Sequence, residues 1–333
     1  MLKLLRYLLL LAILLAIASA AAFAWVVHAP ITLKTPSVDF HIAAGSSLRS
    51  AARQIGEAGA ELNPWVFILL GKGMHADTSI KAGSYEIATG ITPLQLLEKL
   101  TRGDVTQSDI AFIEGWTFRQ MRERLNAHAE LRHDSKDLSD DEILRHIGAK
   151  EPRAEGVFFP DTYLFAKRSS DLDVLSRAYR AMQRHLAREW EARAPGLPYG
   201  DAYQALIMAS IVEKETGRDQ DRPHVAAVFV NRLRQGMLLQ TDPTVIYGVG
   251  EKFDGNLRKR DLQTDTPYNT YMRAGLPPTP IAMSGLASLQ AALHPAENQS
   301  LYFVARGDGS SHFSRTLDEH NHAVARYQRG GKR

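Results

Sequence analysis

The sequence of 333 residues contains no cysteine, and this absence excludes several kinds of functional site. Disulfide frameworks, zinc fingers, iron–sulfur clusters and thiol nucleophiles all depend on cysteine. The sequence also lacks the phosphate-binding pattern GxxxxGK[ST], the dinucleotide pattern GxGxxG, the zinc pattern HExxH and the nucleophile pattern GxSxG. The chain is therefore not typical of a metal or nucleotide enzyme, and we expect it to need no cofactor.

The chain has little excess of either charge, with 40 Lys and Arg residues against 37 Asp and Glu residues, a formal net charge of +3. Lys3 and Arg6 precede an apolar run, and Arg326, Arg329, Lys332 and Arg333 lie in the last eight residues. Without these two groups, residues 28–325 carry a net charge of −3. The small basic excess therefore does not indicate a nucleic-acid-binding surface, and we predict no nucleic-acid partner.

Long hydrophobic runs are absent except for Tyr7–Val27, in which Ser19 is the only fully polar residue. About 20 apolar residues span the hydrocarbon core of a bilayer. Lys3 and Arg6 predict a cytoplasmic N-terminus by the positive-inside rule, with the rest of the chain exported. We therefore predict a single-pass inner-membrane anchor at residues 1–28 and a periplasmic remainder. Two alternatives stay open: a signal peptide cleaved near Ala18–Ala20 or Ala22–Ala24, and a buried core helix.

The sequence of the exported part predicts a small module followed by a larger domain. A polar linker is expected at 29–37 and a compact α+β module at 38–104, with strands near 38–42 and 82–87. Helices are expected to begin after Ser47, Asn63 and Thr92, which are good N-caps. A weak internal repeat is possible within this module. The larger domain is expected at 105–325, with a basic tail at 326–333.

The larger domain mixes helices, hairpins and loops without a regular strand–helix alternation. A strand is expected at 110–113, a helix at 117–127, and charged helical stretches within 134–153 and 171–193. An aromatic loop with a short strand is expected at 155–163. This pattern favours an α+β fold class over a doubly wound sheet.

A carboxylate in apolar surroundings is the strongest chemical signal in the sequence. Residues 201–216 (DAYQALIMASIVEKET) predict a helix that is apolar around most of its circumference. At about 100° per residue, Glu213 and Glu215 lie about 160° apart, and Glu215 falls beside the stripe of Met208 and Val212. Apolar surroundings disfavour the charged form of a carboxyl group, which raises its pKa toward the range useful for proton transfer. The alternative is that both glutamates are surface residues at a frayed helix end.

The segments 239–248, 266–271 and 275–285 are rich in Tyr, Asn, Gln and Thr and carry few charges. Such side chains suit a carbohydrate groove, although the same residues also fix long loops through turns. Three histidines, His312, His320 and His322, match no familiar metal signature, and we interpret them as solvated surface residues.

Several long motifs resemble a known family when they are taken together and in order. They are ASIVEKET (209–216), FVNRLRQGMLLQTDPTVIYG (229–248), YNTY (268–271), GLPPTPIAMSG (275–285) and LYFVARGDGSSHFSRTLDEHN (301–321). These motifs resemble the endolytic murein transglycosylases, the YceG-like or MltG family. The likeness extends to the N-terminal anchor, to AGSYEI (82–87) and to EGWT (114–117), so it covers nearly the whole chain.

The resemblance implies a LysM-like glycan-binding module ahead of a lytic-transglycosylase catalytic domain, and cleavage within peptidoglycan glycan strands. It implies that the second glutamate of EKE, Glu215, is the catalytic acid, the same residue that the helical-face argument prefers. The implied partners are peptidoglycan strands, the membrane, and peptidoglycan synthases beside which an anchored enzyme trims new strands. We expect the sugars or their acetamido groups to be held by Gln240, Asp242, Tyr247, Tyr268 and Asn269.

Three alternatives remain at the level of sequence. Asp242 is equally well placed to cap the turn that follows it. The enzyme alternative is a muramidase that hydrolyses the same bond, with Asp242 or Glu213 activating water. The non-enzyme alternative is an anchored peptidoglycan-binding protein in which Glu215 is only structural.

Overall fold

A computed structural model describes residues 2–76 and 78–329 and has the mixed α+β composition that the sequence predicts. The helices are α1 (Leu2–His28), α2 (Leu48–Glu57), α3 (Pro64–Gly73), α4 (Pro93–Arg102), α5 (Phe118–Asn126), α6 (Asp140–Ile147), α7 (Asp171–Glu191), α8 (Ala202–Glu215), α9 (Arg222–Arg234), α10 (Asp242–Val249), α11 (Lys259–Gln263), α12 (Leu286–Leu293) and α13 (Leu317–Val324). The strands are β1 (Thr32–Leu33), β2 (Ser37–Ile42), β3 (Ala60–Glu61), β4 (Gly83–Ala88), β5 (Gln107–Ala111), β6 (Thr162–Ala166), β7 (Tyr302–Ala305) and β8 (Ser311–Ser314). A 3₁₀ turn follows α10 at Gly250–Lys252, and a π-helical turn follows α13 at Ala325–Arg329.

The strands pair only in twos within the described residues, which agrees with the expectation that no doubly wound sheet is present. Strands β1 and β3, β2 and β4, and β7 and β8 form antiparallel pairs, and β5 pairs with β6. The longest ladder runs from the pair Ser37 and Ala88 to the pair Ile42 and Gly83.

The chain divides into two compact units. One unit comprises the chain up to Asp109 together with Leu164–Ser169, and the other comprises Ile110–Tyr163 and the chain from Ser170 onward. No sequence pattern indicated that Leu164–Ser169 joins the first unit. The predicted domain bounds at 28, 37, 104 and 325 stay predictions, and the end of the predicted basic tail, 330–333, lies outside the described residues.

The first unit confirms the three predicted helix starts. Ser47, Asn63 and Thr92 occupy the N-cap positions of α2, α3 and α4, and each side chain accepts a hydrogen bond from the first turn of its helix. Helix α4 ends at Gly103, whose φ of 73° is the left-handed conformation that glycine adopts without strain. Between β2 and β4, the rings of Phe40 and Tyr85 stack with their centroids 5.7 Å apart. Local capping chemistry therefore sets where these three helices begin, and α2 packs against β2.

Helix α1 contains one segment, Leu5–His28, that is long and apolar enough to cross a membrane, with a mean hydropathy of 2.6. Only 6% of its most apolar window is buried inside the structure, which is unlike a core helix of a soluble protein. Its last turns differ, because Val27 is buried and Phe23 packs against the core of the first unit. Length and composition are shared by anchors and signal sequences, so the uncleaved anchor stays a prediction.

Helix α8 is the central helix of the second unit. All eight residues from Ala205 to Val212 are buried, and α7, α9, α10 and α12 pack around them. A helix that is apolar around its whole circumference is stable only when it is enclosed in this way. The segment 280–285 lies against it, where the Ser210 hydroxyl accepts a hydrogen bond of 3.0 Å from the Ile281 amide. The burial of α8 fixes the position of the glutamates at its end.

Gly156 shows how tightly the loop before β6 is packed. Its φ is 76°, and a Cβ atom there would lie 2.3 Å from Cβ of Pro280 and 3.1 Å from the Ala282 carbonyl oxygen. Gly148, at the end of α6, has a similar φ of 72° but has no atom within 4 Å of the corresponding Cβ position. A side chain at Gly148 would therefore introduce backbone strain alone, whereas a side chain at Gly156 would introduce strain and overpacking together.

We expect Gly156→Ala to lower the free energy of unfolding by about 3 kcal/mol, since strain of about 1 kcal/mol adds to overpacking of about 2 kcal/mol. The control Gly148→Ala should cost about 1 kcal/mol, from strain alone. Chemical denaturation of the purified full chain measures both values. Equal losses for the two variants would contradict the packing described here.

Candidate active site

Glu215 is the last residue of α8, and its carboxyl group lies partly buried at the helix end. The helix begins at Asp201, whose carboxylate accepts a hydrogen bond of 2.8 Å from the Gln204 amide. It stops because Thr216 turns to an extended conformation, with φ −150° and ψ 131°. The burial of the preceding residues leaves the Glu215 carboxyl group no freedom to move with a frayed end.

The two glutamates of α8 face different partners, as their angular separation predicts. Glu215 Oε1 accepts a hydrogen bond from the Thr241 hydroxyl. Glu213 Oε2 instead accepts one of 3.0 Å from the amide of Gly285, the N-cap residue of α12. Glu213 therefore holds the start of a neighbouring helix, and Glu215 belongs to a separate pocket.

A buried network of threonines fixes the hydroxyl that contacts Glu215. The Thr241 amide donates to Thr270 Oγ1 at 3.1 Å, and Thr244 Oγ1 lies 2.8 Å from the same atom. The Thr244 hydroxyl also bonds to the Thr241 carbonyl oxygen at 2.7 Å. All three threonines are at most 2% exposed. The segments 241–244 and 268–271, which the sequence analysis placed in a carbohydrate groove, thus meet behind Glu215.

Burial raises the pKa of Glu215, and this effect outweighs the others. The nearby Asp242 carboxylate also raises that pKa, whereas the Thr241 hydrogen bond and the Arg232 guanidinium lower it. Arg232 is itself buried, and it donates to the carbonyl oxygens of Leu301 at 2.7 Å and Leu239 at 2.8 Å. The result is a carboxyl group that retains its proton to higher pH than an ordinary glutamate.

The pocket in front of Glu215 has a volume of about 380 Å³. It contains two of the predicted sugar-binding residues, Gln240 and Asp242. Its other lining residues are Phe229, Arg232, Leu239, Tyr271, Tyr302, Phe303, Leu317 and His320.

Asp242 and Gln240 are both exposed at this pocket. Asp242 Oδ1 accepts a hydrogen bond of 2.6 Å from the Tyr271 hydroxyl. The N-cap residue of α10 is Thr241, so Asp242 does not serve as the helix cap that the alternative interpretation proposed. Gln240 has a φ of 52°, in the left-handed region, and its amide donates to the Thr270 carbonyl oxygen at 3.1 Å. That unusual backbone turn directs the chain from the end of the α9 region into α10.

Tyr247 and Tyr268 line a different pocket, of about 540 Å³, together with Glu155. Glu155 accepts hydrogen bonds of 2.9 Å from the Phe118 amide and 3.0 Å from the Tyr247 hydroxyl. Burial nevertheless raises the pKa of Glu155 to about 7. The Tyr268 hydroxyl lies 2.9 Å from Thr279 Oγ1. The five predicted sugar-binding residues therefore do not form one site.

Asn269 is 0% exposed and lines neither pocket. Its amide nitrogen donates to the carbonyl oxygens of Thr264 at 2.7 Å and Leu262 at 3.1 Å. Its oxygen accepts a hydrogen bond of 2.9 Å from the Tyr271 amide. In this structure Asn269 fixes the turn that carries Tyr268 and Tyr271, and has no contact with the open volume of either pocket.

The interpretation of the C-terminal histidines as solvated is wrong for His320. This ring is only partly exposed, stacks on Tyr302 with centroids 5.3 Å apart, and lines the Glu215 pocket. Burial lowers the pKa of His320, and its Nδ1 atom is buried without a hydrogen-bond partner in the described part of the chain. His322 is exposed, 3.6 Å from Asp318. Within residues 2–76 and 78–329, no three His, Asp or Glu side chains are grouped closely enough to hold a metal ion.

Sequence reasoning missed Arg232, Tyr271, Thr241 and Glu155. Arg232 had a usable signal, because it is a cation within a helix whose residues from Val225 to Val230 are apolar. Tyr271 and Thr241 lie within motifs that were singled out, but nothing in their spacing distinguishes them from their neighbours.

Comparisons with known proteins show the family to which this chain belongs. The family model for the YceG-like family matches residues 40–326. An endolytic murein transglycosylase from Bacillus subtilis (strain 168) is 34% identical over 268 residues, which cover 78% of this chain and 72% of that protein. One from Streptococcus pneumoniae serotype 2 is 24% identical over 320 residues, which cover 85% of this chain and 57% of that longer protein. A crystal structure of a yceG-like protein from Listeria monocytogenes superposes with a TM-score of 0.54 at 31% identity, covering 86% of this chain and 98% of that one.

The raised pKa of Glu155 predicts a specific dependence of stability on pH. The folded state keeps this proton up to about pH 7, whereas an unfolded glutamate releases it near its ordinary pKa of 4.5. The contribution of Glu155 to the free energy of unfolding is therefore full below pH 4.5 and is lost as pH rises to about 7.

We expect Glu155→Gln to gain stability relative to the wild type across that interval and to show no further relative gain above it. Denaturation of the full chain at a series of pH values measures the difference. Glu142→Gln is the control. Hydrogen bonds from Ser139 lower the pKa of Glu142, so the pH dependence of the stability difference should have the opposite sign. A wild-type-to-variant difference for Glu155 that does not change with pH would contradict the burial of this carboxyl group.

Proposed function

Because this chain belongs to the YceG-like family, we propose that it is a lytic transglycosylase that cleaves within the glycan strands of peptidoglycan. The observation that carries the proposal is the state of the Glu215 carboxyl group. This group is partly buried at the end of α8, accepts a hydrogen bond from Thr241 and has a raised pKa. A carboxyl group of this kind is suited to donate a proton near neutral pH.

The proposed reaction breaks the β-1,4 bond between N-acetylmuramic acid and N-acetylglucosamine. Protonated Glu215 donates its proton to the glycosidic oxygen as the C1–O bond breaks. The 2-acetamido oxygen of the muramoyl sugar stabilises the developing positive charge, as in substrate-assisted glycosidases. Ionised Glu215 then takes the proton of the C6 hydroxyl while that oxygen bonds to C1, so a 1,6-anhydro end forms and no water is consumed.

The surroundings of Glu215 suit both halves of this cycle. Burial favours the protonated acid, while the Thr241 hydroxyl and the buried Arg232 support the carboxylate that forms next. Asp242 and Gln240 line the same pocket, and we assign them to the sugar or its acetamido group. Asn269 acts indirectly, through the turn that directs Tyr271 toward Asp242.

The hydrolytic alternative is a muramidase that cuts the same bond with water. Glu213 is poorly placed for that role, since its carboxylate is bonded to the Gly285 amide and does not line the Glu215 pocket. Asp242 does line the pocket, and the specific observation that favours hydrolysis is this second carboxylate beside Glu215. The products distinguish the two reactions, because hydrolysis leaves reducing ends in place of anhydro ends.

The remaining parts of the proposal concern location. Helix α1 serves as an uncleaved anchor in the inner membrane, with the N-terminus in the cytoplasm and the chain after α1 in the periplasm. The strand–helix–helix–strand arrangement of β2, α2, α3 and β4 is the LysM-like module that the family implies, and the second unit is the catalytic domain. An enzyme anchored in the inner membrane works beside peptidoglycan synthases. It terminates or trims new glycan strands without a cofactor.

We expect Glu215→Gln to reduce cleavage of purified peptidoglycan by at least about 100-fold, because the amide cannot donate the proton. Mass spectrometry of the soluble products should detect anhydro ends with the wild type and none with the variant. Glu213→Gln is the matched control on the same helix, since a glutamine oxygen still accepts the Gly285 hydrogen bond, and it should retain cleavage.

Three results would contradict the proposal. Reducing ends from the wild type would identify a muramidase. No cleavage by the wild type, where a control enzyme cuts, would favour a non-catalytic binding protein. Full activity of Glu215→Gln would show that Glu215 takes no part in the reaction.

The Thr241 hydroxyl provides a second prediction. Removing it with Thr241→Val deletes a bond that lowers the pKa of Glu215, so that pKa rises further. Because the acid must be protonated, the fall of kcat/KM on the alkaline side should move to higher pH. Thr241→Ser keeps the hydroxyl and should restore the wild-type profile. An unchanged alkaline limb in Thr241→Val would show that the bond does not act on the reacting proton.

A further inference from the structure

The Glu215 pocket and the Glu155 pocket lie along the same two structural elements. Helix α10 carries Asp242 at its first residue, in the Glu215 pocket, and Tyr247 five residues later, in the Glu155 pocket. At 1.5 Å and about 100° per residue, these positions are about 7.5 Å apart along the helix axis and about 140° apart around it. The turn 268–271 is divided in the same way, with Tyr271 in the first pocket and Tyr268 in the second.

The Glu155 pocket has the chemistry of a carbohydrate site. Tyr247 and Tyr268 form an edge-to-face pair with centroids 4.8 Å apart, which offers apolar ring surface beside polar tips. Glu155, Thr279 and Asn126 add a carboxyl group, a hydroxyl and an amide to the same wall. The Glu155 carboxylate accepts hydrogen bonds from the Phe118 and Gly156 amides and from the Tyr247 hydroxyl, and of its roughly four acceptor positions about one is left for a donor such as a sugar hydroxyl.

The rim of this pocket favours a neutral ligand. Its charged residues number three of each sign, with no excess of positive charge: Arg119, Arg122, Arg153, Glu123, Asp140 and Asp141. Two of the arginines are paired within the chain, Arg122 with Asp140 at 2.8 Å and Arg119 with Glu251. A phosphate or a polyanion would require an excess of positive charge here, whereas an N-acetylated sugar requires none.

We propose that the Glu155 pocket is a second sugar-binding site, which holds an N-acetylhexosamine of the same glycan strand at a distance from the bond cut at Glu215. This inference rests on the proposed function. A strand that occupies both pockets must extend beyond the cleaved bond, and this requirement disfavours cleavage at a strand end. The second pocket therefore contributes affinity for long strands and selects internal bonds.

Kinetics on purified glycan strands of defined length test this inference. In Tyr268→Ala the ratio of kcat/KM for long strands to that for strands too short to reach both pockets should fall about tenfold, mainly through KM. That factor corresponds to the loss of one aromatic contact of about 1.4 kcal/mol. Tyr268→Phe keeps the ring and should preserve most of the ratio.

Asn126→Trp is a second variant, because Asn126 is exposed at the pocket and a large side chain there occupies the volume without disturbing the core. It should reduce the same ratio, which keeps the test decisive if Tyr268→Ala fails to fold. Equal effects on long and short strands in the folded variants, or no effect on either, would overturn the second site while leaving the proposed function intact. Absence of cleavage by the wild type would instead overturn the proposed function, and this inference with it.

Discussion

The hydrogen bond between Thr241 and the Glu215 carboxyl group is the interaction on which the proposed chemistry depends. One partner is fixed by the burial of α8, in which every residue from Ala205 to Val212 is enclosed. The other is fixed by Thr244 and Thr270, which hold the backbone on both sides of Thr241. Neither partner can move without breaking buried contacts. The carboxyl group is therefore held in a single position while its proton affinity is raised by burial.

Two carboxyl groups with raised pKa values have different surroundings in the second unit. Burial is the main cause of the raised pKa of Glu215, and this residue also lies near a second carboxylate, Asp242, and a cation, Arg232, whose effects on its pKa are opposite in sign. Glu155 is held between the Phe118 amide and the Tyr247 hydroxyl, and burial dominates its titration. Helix α10 and the turn 268–271 contribute to both pockets. A glycan strand lying along these elements would meet the reactive carboxyl group first and a purely binding one beyond it.

The sequence was informative wherever structure is decided locally. The caps at Ser47, Asn63 and Thr92 set helix starts, and the angular separation of Glu213 and Glu215 follows from helix geometry alone. Contacts between segments that lie far apart in the sequence could not be predicted in this way. Tyr268 was expected to hold sugar together with Asp242, but the turn that Asn269 fixes places Tyr268 in the Glu155 pocket and Tyr271 in the Glu215 pocket. Helix α10 was read only as a polar segment, and the stacking of His320 on Tyr302 joins residues that no spacing rule relates.

The central claim is that Glu215 carries a proton at a pH where ordinary glutamates have lost theirs. The most direct measurement is the ¹³C chemical shift of the Glu215 carboxyl carbon as a function of pH in the full chain, assigned by its absence in Glu215→Gln. We expect a titration midpoint above 4.5, the ordinary pKa of a glutamate. A midpoint at or below that value would show that Glu215 is ionised at neutral pH, and would contradict its role as the acid.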